Sequence, residues 1–291
     1  MIWIIIKKNV ATFVIFSLAV TFFAGLVDKV ERKIYGVKSG IYLEEIDMTG
    51  YYAREVRAAA RNLAIEKNKD PRNAHFDKDT GEVVAGVNGI KVDVEKTMSK
   101  VLAAKKATKI KLVTYNYSPK YGVAEIENLT GEMGSFVTGV GGTEERYNNV
   151  QLATKNLNYY ILYPGETFSF NKVVGPRTSE RGFRDAPIMS EGGTFLGPGG
   201  GVCQASSTLY NAVVNSKLTI VERHQHARPV GYVPPGMDAT VDFAWLDLKF
   251  KNDFNHPVVV RGVAENRSLR MWILGPAKPG GTGQQEQSQQ W

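Results

Sequence analysis

Glycines 197, 199, 200 and 201 form a loop directly ahead of Val202-Cys203-Gln204-Ala205-Ser206-Ser207-Thr208-Leu209-Tyr210, and this junction constrains the chain more than any other stretch. Glycine adopts positive φ without a Cβ penalty and lets the backbone approach a bound group closely. Beyond the loop, Ala205, Leu209, Ala212, Val213 and Ser216 share one helical stripe, so a helix begins near Cys203. Unpaired N–H groups and a partial positive charge at a helix N-terminus favour a thiolate. Cys203 is thus a candidate nucleophile, with Gly200, Gly201, Gln204 and Ser207 beside it as candidate substrate contacts. A lone cysteine under a glycine-rich turn is equally a small packing residue. These local features leave both roles open.

A thiolate nucleophile needs an imidazole within hydrogen-bond reach and gains from a third group that orients it. His224 and His226 lie downstream where the chain leaves a strand, and at spacing i, i+2 both imidazoles are expected on one side. Either one can partner the cysteine. Asp238, after the Pro235-Gly236 turn, is the candidate orienting carboxylate, with capping of that turn as its alternative role. Arg181 is a candidate for bidentate recognition of a substrate carboxylate. Cys203, His224 and His226 together also supply three ligands suited to zinc. Metal-ligand cysteines usually come in pairs, so no metal or cofactor is expected.

The 291 residues are 43% hydrophobic, enough to bury a sizeable core, and one cysteine allows no intrachain disulfide. The net charge of +7 is dispersed without basic blocks interleaved with aromatics, so nucleic acid is not an expected partner. Val10 to Val27 carries no charge, and at 1.5 Å per residue it extends roughly 27 Å, close to the hydrocarbon thickness of a bilayer. Residues 1–33 are therefore expected to form an uncleaved single-pass transmembrane anchor. Lys7 and Lys8 before the run compete with Lys29, Arg32, Lys33 and Lys38 after it, so charge alone leaves the orientation open.

The rest reads as an α+β protein, a mixed helix and antiparallel-sheet domain behind a smaller αβ module. The module, residues 37–115, has a strand at Ile41 to Ile46, a helix from Ala53 to Asn68 and a second helix after Asp93, a plausible N-cap. Residues 116–145 hold six glycines from Gly122 to Gly142 and read as a connector. The larger domain, 146–275, opens with a helix from Tyr147 to Leu162 and continues after the Cys203 helix with strands at Leu218–Glu222, Ala239–Trp245, Asp247–Lys251, Pro257–Ala264 and Ser268–Leu274. The glutamine-rich tail, 276–291, is expected to be disordered.

Five segments, in order, carry a resemblance: Arg146-Tyr147-Asn148-Asn149, Pro164-Gly165-Glu166-Thr167-Phe168-Ser169-Phe170-Asn171, Gly199-Gly200-Gly201-Val202-Cys203-Gln204, Ser207-Thr208-Leu209-Tyr210-Asn211 and Asp238-Ala239-Thr240-Val241. Together they resemble the VanW family. The preceding region, with Glu45-Ile46-Asp47-Met48-Thr49-Gly50, more loosely resembles a peptidoglycan-binding module. The resemblance implies an extracytoplasmic body held to the cell membrane, cell-wall work and a link to glycopeptide resistance. Some members of the family are associated with L,D-transpeptidase activity through the domain's cysteine. It implies Cys203 as nucleophile, His226 as proton shuttle and Asp238 as the family's aspartate, with peptidoglycan stem peptides as partners. In this sequence Ala227 replaces the serine that usually follows the histidine. The usual Ser-His-Gly-Cys transpeptidase signature is absent, and a non-catalytic peptidoglycan-binding or scaffold protein is the alternative expectation.

Overall fold

The computed structural model describes residues 20–190 and 193–277. The chain forms two compact units, one of residues up to 72 with 87–119, the other of residues 73–86 with 120 onward. The expected α+β class, mixed helix with antiparallel sheet, is observed. Most of the apolar run from Val10 to Val27, and nearly all of the glutamine-rich tail, lie outside the described residues. Residues 20–35 are helical (α1). Among the described residues no helix is long and apolar enough to cross a membrane. The expected transmembrane helix has no counterpart among them, most of its run lying outside the described residues; α1 carries charge from Asp28 onward, where Arg32 bonds Asp28 at 2.8 Å and Glu55 at 2.7 Å.

The first unit pairs β1 (Ile41–Leu43) with β2 (Ile46–Asp47) and, in parallel, with β6 (Thr108–Ile110). Over this sheet lie α2 (Ala53–Lys67) and α3 (Val94–Ala103), which bury Val56, Ala60 and Val101 against Ile41, Leu43 and Met48. Asp93 caps α3 as its sequence predicts, accepting from the Lys96 N–H at 2.9 Å. A separate pair, β5 (Gly89–Val92) with β7 (Thr114–Tyr117), completes the unit.

The second unit takes the β3 (His75–Phe76) and β4 (Val83–Val84) hairpin out of the middle of the expected module. Its main sheet is antiparallel, in the order β8 (Gly131–Gly139), β16 (Ser268–Gly275), β15 (Val258–Glu265), β9 (Tyr160–Leu162). The stretch expected as a connector thus supplies a short helix, α4 (Val123–Glu127), and the long strand β8. Gly134 serves packing: a Cβ there would collide with the Ser216 nitrogen, so glycine lets the end of a helix rest on the strand.

That helix is α7 (Val202–Asn215), which packs on β8 and β16, while α5 (Glu144–Leu157) packs on β15. α5 is shorter than expected because Asn158 ends it and Tyr159, at φ 59°, turns the chain into β9. A smaller sheet orders β10 (Thr167–Ser169), β14 (Lys249–Lys251) and β13 (Thr219–Glu222), with Phe168 stacked on Phe250 at 4.4 Å. Following β10 is the short helix α6 (Phe170–Val174), and β11 (Asp185–Ser190) pairs with β12 (Gly193–Pro198) just ahead of the glycine loop. The strand expected over Ala239–Trp245 does not form. Ser207 Oγ accepts from the Ala239 N–H, and both Ser206 and Ser207 hydroxyls donate to the Ala239 carbonyl. With the Ala239 backbone groups spent on α7 and residues 243–245 in a turn, this segment keeps only isolated bridges to His224 and between Asp242 and Leu246.

Candidate functional site

The glycine loop is fixed by the first of the motif segments. Asn149, buried on α5, donates to the Gly200 carbonyl at 3.0 Å and the Arg184 carbonyl at 2.8 Å, and accepts from the Arg184 N–H at 2.8 Å. A Cβ on Gly200 would lie 2.6 Å from the Ala186 carbonyl oxygen, so only glycine fits beside β11. Gly201 then enters α7 at φ 106°, the left-handed region. On the far side of the loop, Gln204 accepts from Arg146 at 2.9 Å and donates to Gly139 O at 2.8 Å and Thr138 Oγ1 at 3.0 Å.

At this junction a cavity of about 870 Å³ opens, lined by the glycine loop, Cys203, Gln204, His226, Arg146, Arg177 and Tyr232, with Pro187, Ile188, Val241, Phe243 and Leu246 forming apolar wall. Cys203 is half-buried, its sulfur 3.4 Å from Val241 O and 3.6 Å from Thr240 Oγ1. The 238–241 segment reaches it because α7 holds the chain there: Ser206 and Ser207 bind Ala239, and Asn211 Nδ2 donates to Met237 O at 2.7 Å.

The same hold presents Asp238 to His226. Asp238 Oδ2 accepts from both the His226 backbone N–H and its Nδ1, each at 2.7 Å. Arg223 braces the carboxylate, donating to Asp238 O at 2.7 Å and approaching Oδ1 at 3.4 Å. With Nδ1 committed to the carboxylate, Nε2 is the ring nitrogen available to the sulfur. Burial pushes the Cys203 thiol up, but His226, Val241 and Thr240 together outweigh it and bring the group below its ordinary 9.0. Burial likewise pulls His226 down, yet hydrogen bonds to Cys203 and Asp238 raise it above its ordinary 6.5. Desolvation would raise Asp238; the His226 backbone and ring bonds hold it below 3.8. A thiolate beside an oriented imidazolium is the state these shifts favour.

The structure brings Cys203, His226 and Asp238 together with Gly200, Gly201 and Gln204. It separates the others. His224 does not line the cleft that His226 lines; its Nε2 lies 3.0 Å from Glu222 Oε1. Among the described residues, Cys203 and the two histidines form no metal-ligating group. Ser207 is buried, its hydroxyl occupied by Cys203 O and Ala239. Arg181 donates from Nη1 to Val174 O and Pro176 O, both at 2.7 Å, closing the turn after α6. Of the N–H groups at the start of α7, Val202 bonds Gly199 O and Gln204 bonds Gly201 O, whereas among the described residues no acceptor is seen for Cys203 N–H. Sequence reasoning missed Arg177, Arg146 and Tyr232. Arg146 lay in a quoted motif, but nothing local marks Arg177 over Arg181.

Residues 145–274 match the family described as VanW like protein, and residues 29–111 match the "Putative peptidoglycan binding domain" family. The chain is 39% identical over 198 residues, 66% of its length and 65% of the relative's, to Uncharacterized protein YoaR of Bacillus subtilis. It is 35% identical over 115 residues, 38% of its length and 42% of the relative's, to Vancomycin B-type resistance protein VanW of Enterococcus faecalis. The matched region covers less than two thirds of either relative. No solved structure gives a significant match. Cys203, His226 and most of the cleft lining fall within 145–274, so the site lies in the region that is similar to the VanW family, with the match to a peptidoglycan-binding-domain family ahead of it.

Proposed function

We propose that this protein is a cysteine-dependent acyl transferase of the L,D-transpeptidase type acting on peptidoglycan stem peptides. The observation that carries the reading is that Cys203 and His226 line one cleft while Asp238 holds the Nδ1 side of the His226 ring. In the first step the Cys203 thiolate adds to the carbonyl carbon of the amide that joins an L-centre to a terminal D-residue. His226 gives its proton to the departing amine as the C–N bond breaks, leaving a thioester and a free D-amino acid. An amine of a second stem then attacks the thioester, returns a proton to His226 and releases the thiolate. The Cys203 N–H, at the positive end of α7, would stabilise the oxyanion in both steps.

The peptidoglycan-binding-family match over 29–111 supports wall association, and the relative named as a vancomycin resistance protein agrees with wall chemistry. The uncharged run Val10 to Val27 is proposed to anchor the chain in the cell membrane, with the body outside; membrane fractionation and protease accessibility on intact cells test this. The acyl-transfer test is mass spectrometry of the folded full chain incubated with stem peptides. A thioester on Cys203 and a cross-linked dimer are expected. Neither product from folded protein overturns the reading in favour of a wall-binding scaffold. Thioester with free acid but no dimer makes the protein a hydrolase.

A further inference from the structure

Arg177 lines the cleft with a cationic group that pairs with no carboxylate among the described residues. Its Nη2 donates to Asn171 Oδ1 at 2.7 Å, and Asn171 is itself pinned by Nδ2 bonds to Asp242 O at 2.8 Å and Leu246 O at 2.9 Å. Phe170 and Phe243 lie near the guanidinium at 5.6 and 5.7 Å. Arg177 Nη1 is buried and has no hydrogen-bond partner, and among the described residues Arg177 makes no ion pair. Asp247, the buried carboxylate nearby in sequence to Leu246, is filled by Ser169 Oγ at 2.5 Å and by the Asn171 and Leu248 N–H groups at 2.9 Å. Asp242 lines the cleft but is exposed, and its Oδ1 accepts from Ala244 N at 3.0 Å.

A buried guanidinium with an idle nitrogen is expensive in an empty site, because desolvated donors without acceptors forfeit their hydration. The cost reverses when a ligand brings a carboxylate, the acceptor that arginine's planar fork matches best. The neighbouring cations do not compete: Arg146 is committed to Gln204 and Arg181 to two carbonyls. Arg177 also feels the Cys203 charge and, after it, those of Asp247 and Asp242, which oppose the downward pull of burial on the guanidinium. A group bound at Arg177 therefore lies within electrostatic range of the reacting sulfur.

We infer that Arg177 binds the terminal carboxylate of the acyl donor, so that the site selects peptides ending in a free acid next to the bond that Cys203 cleaves. This rests on the acyl-transfer reading for its choice of substrate, but the recognition is separable from the chemistry. In the transfer the bound carboxylate leaves with the D-residue, so the amine acceptor, which needs no such group, enters a vacated cationic pocket.

The test uses the full chain carrying Cys203→Ala, which binds without reacting, and N-acetyl-L-lysyl-D-alanine as free acid and as C-terminal amide, titrated by NMR. The acid is expected to bind about tenfold or more tighter than the amide, and adding Arg177→Gln is expected to abolish that preference, with Arg177→Lys retaining part of it. Equal affinity for acid and amide, no binding of either, or a preference that survives Arg177→Gln overturns the inference. The comparison of acid with amide needs no Arg177 variant, so misfolding of R177Q does not blunt it. Mass spectrometry of the unsubstituted protein with the same acid separates the two claims. A preserved acid preference without thioester sinks the acyl-transfer reading and leaves the carboxylate site standing.

Discussion

Two helices of this protein begin in opposite ways. At the start of α3, Asp93 accepts from the Lys96 N–H, and that bond holds its carboxylate below 3.8. Its negative charge quenches the positive end of the helix. At the start of α7, Gly201 sits at φ 106° with no side-chain cap, and the next residues carry Cys203 into a cavity. Glycine at an N-cap is only a few tenths of a kcal/mol poorer than aspartate. For that small loss, the helix field stays unquenched and faces the thiol. The contrast teaches that a missing cap, like a buried cation without an anion, marks a place where stability has been left for a ligand to complete.

The contrast can be broken most decisively at the carboxylate that orients the imidazole. Asp238→Asn should lower Cys203 thioester formation by about 10²- to 10⁴-fold, because the amide no longer holds Nδ1–H toward itself; a rate within a factor of a few of the unsubstituted protein removes His226 from the proposed chemistry. Next in size is the pH dependence of alkylation by iodoacetamide. A thiol below 9.0 beside an imidazole above 6.5 gives an acid limb set by loss of thiolate and, for acyl transfer, an alkaline limb set by loss of the imidazolium. Cys203 should therefore alkylate faster at pH 7 than a free cysteine, and His226→Ala should carry the acid limb up toward 9.0. An unmoved limb assigns the thiol shift to α7 rather than to His226.

Smaller effects sharpen the same comparison through stability. Gly201→Ala forces a Cβ onto a left-handed backbone within 3.0 Å of the Arg146 carbonyl oxygen and side chain, and should destabilise by more than about 1 kcal/mol in denaturant unfolding. Asp93→Ala should lose about 1 kcal/mol while leaving the alkylation profile of Cys203 unchanged. If Asp93→Ala alters the thiol, or Gly201→Ala does not destabilise, the two helix starts do not divide their roles as described.

Elements with a strong local signal were legible in the sequence. The α3 cap at Asp93, the hairpin of β15 and β16 and the α7 start at Cys203 all follow from residues adjacent in the chain. The errors share a cause: each depended on a partner far away. Glycines between 122 and 142 read as a connector, yet Gly134 is small because α7 lies on it. Ala239–Trp245 alternates like a strand, yet α7 hydroxyls take the hydrogen bonds a ladder would need. Arg181 and Arg177 are four residues apart and alike in composition; only the turn after α6 decides that the first caps carbonyls and the second enters the cleft. His224 and His226 divide in the same way, only His226 lining the cleft.

What the sequence determined by itself was the class of chemistry available: one sulfur, behind glycines, at the head of an amphipathic helix, with histidines and an aspartate downstream. Local periodicity and glycine's backbone freedom are properties of neighbouring residues, so they need no fold to be read. Which histidine, which arginine and which N–H face that sulfur was decided only by tertiary structure. Those choices are set by hydrogen bonds from α5 and α7 to loops tens of residues away, and the desolvation that gives them their electrostatic weight exists only once the core has closed around them.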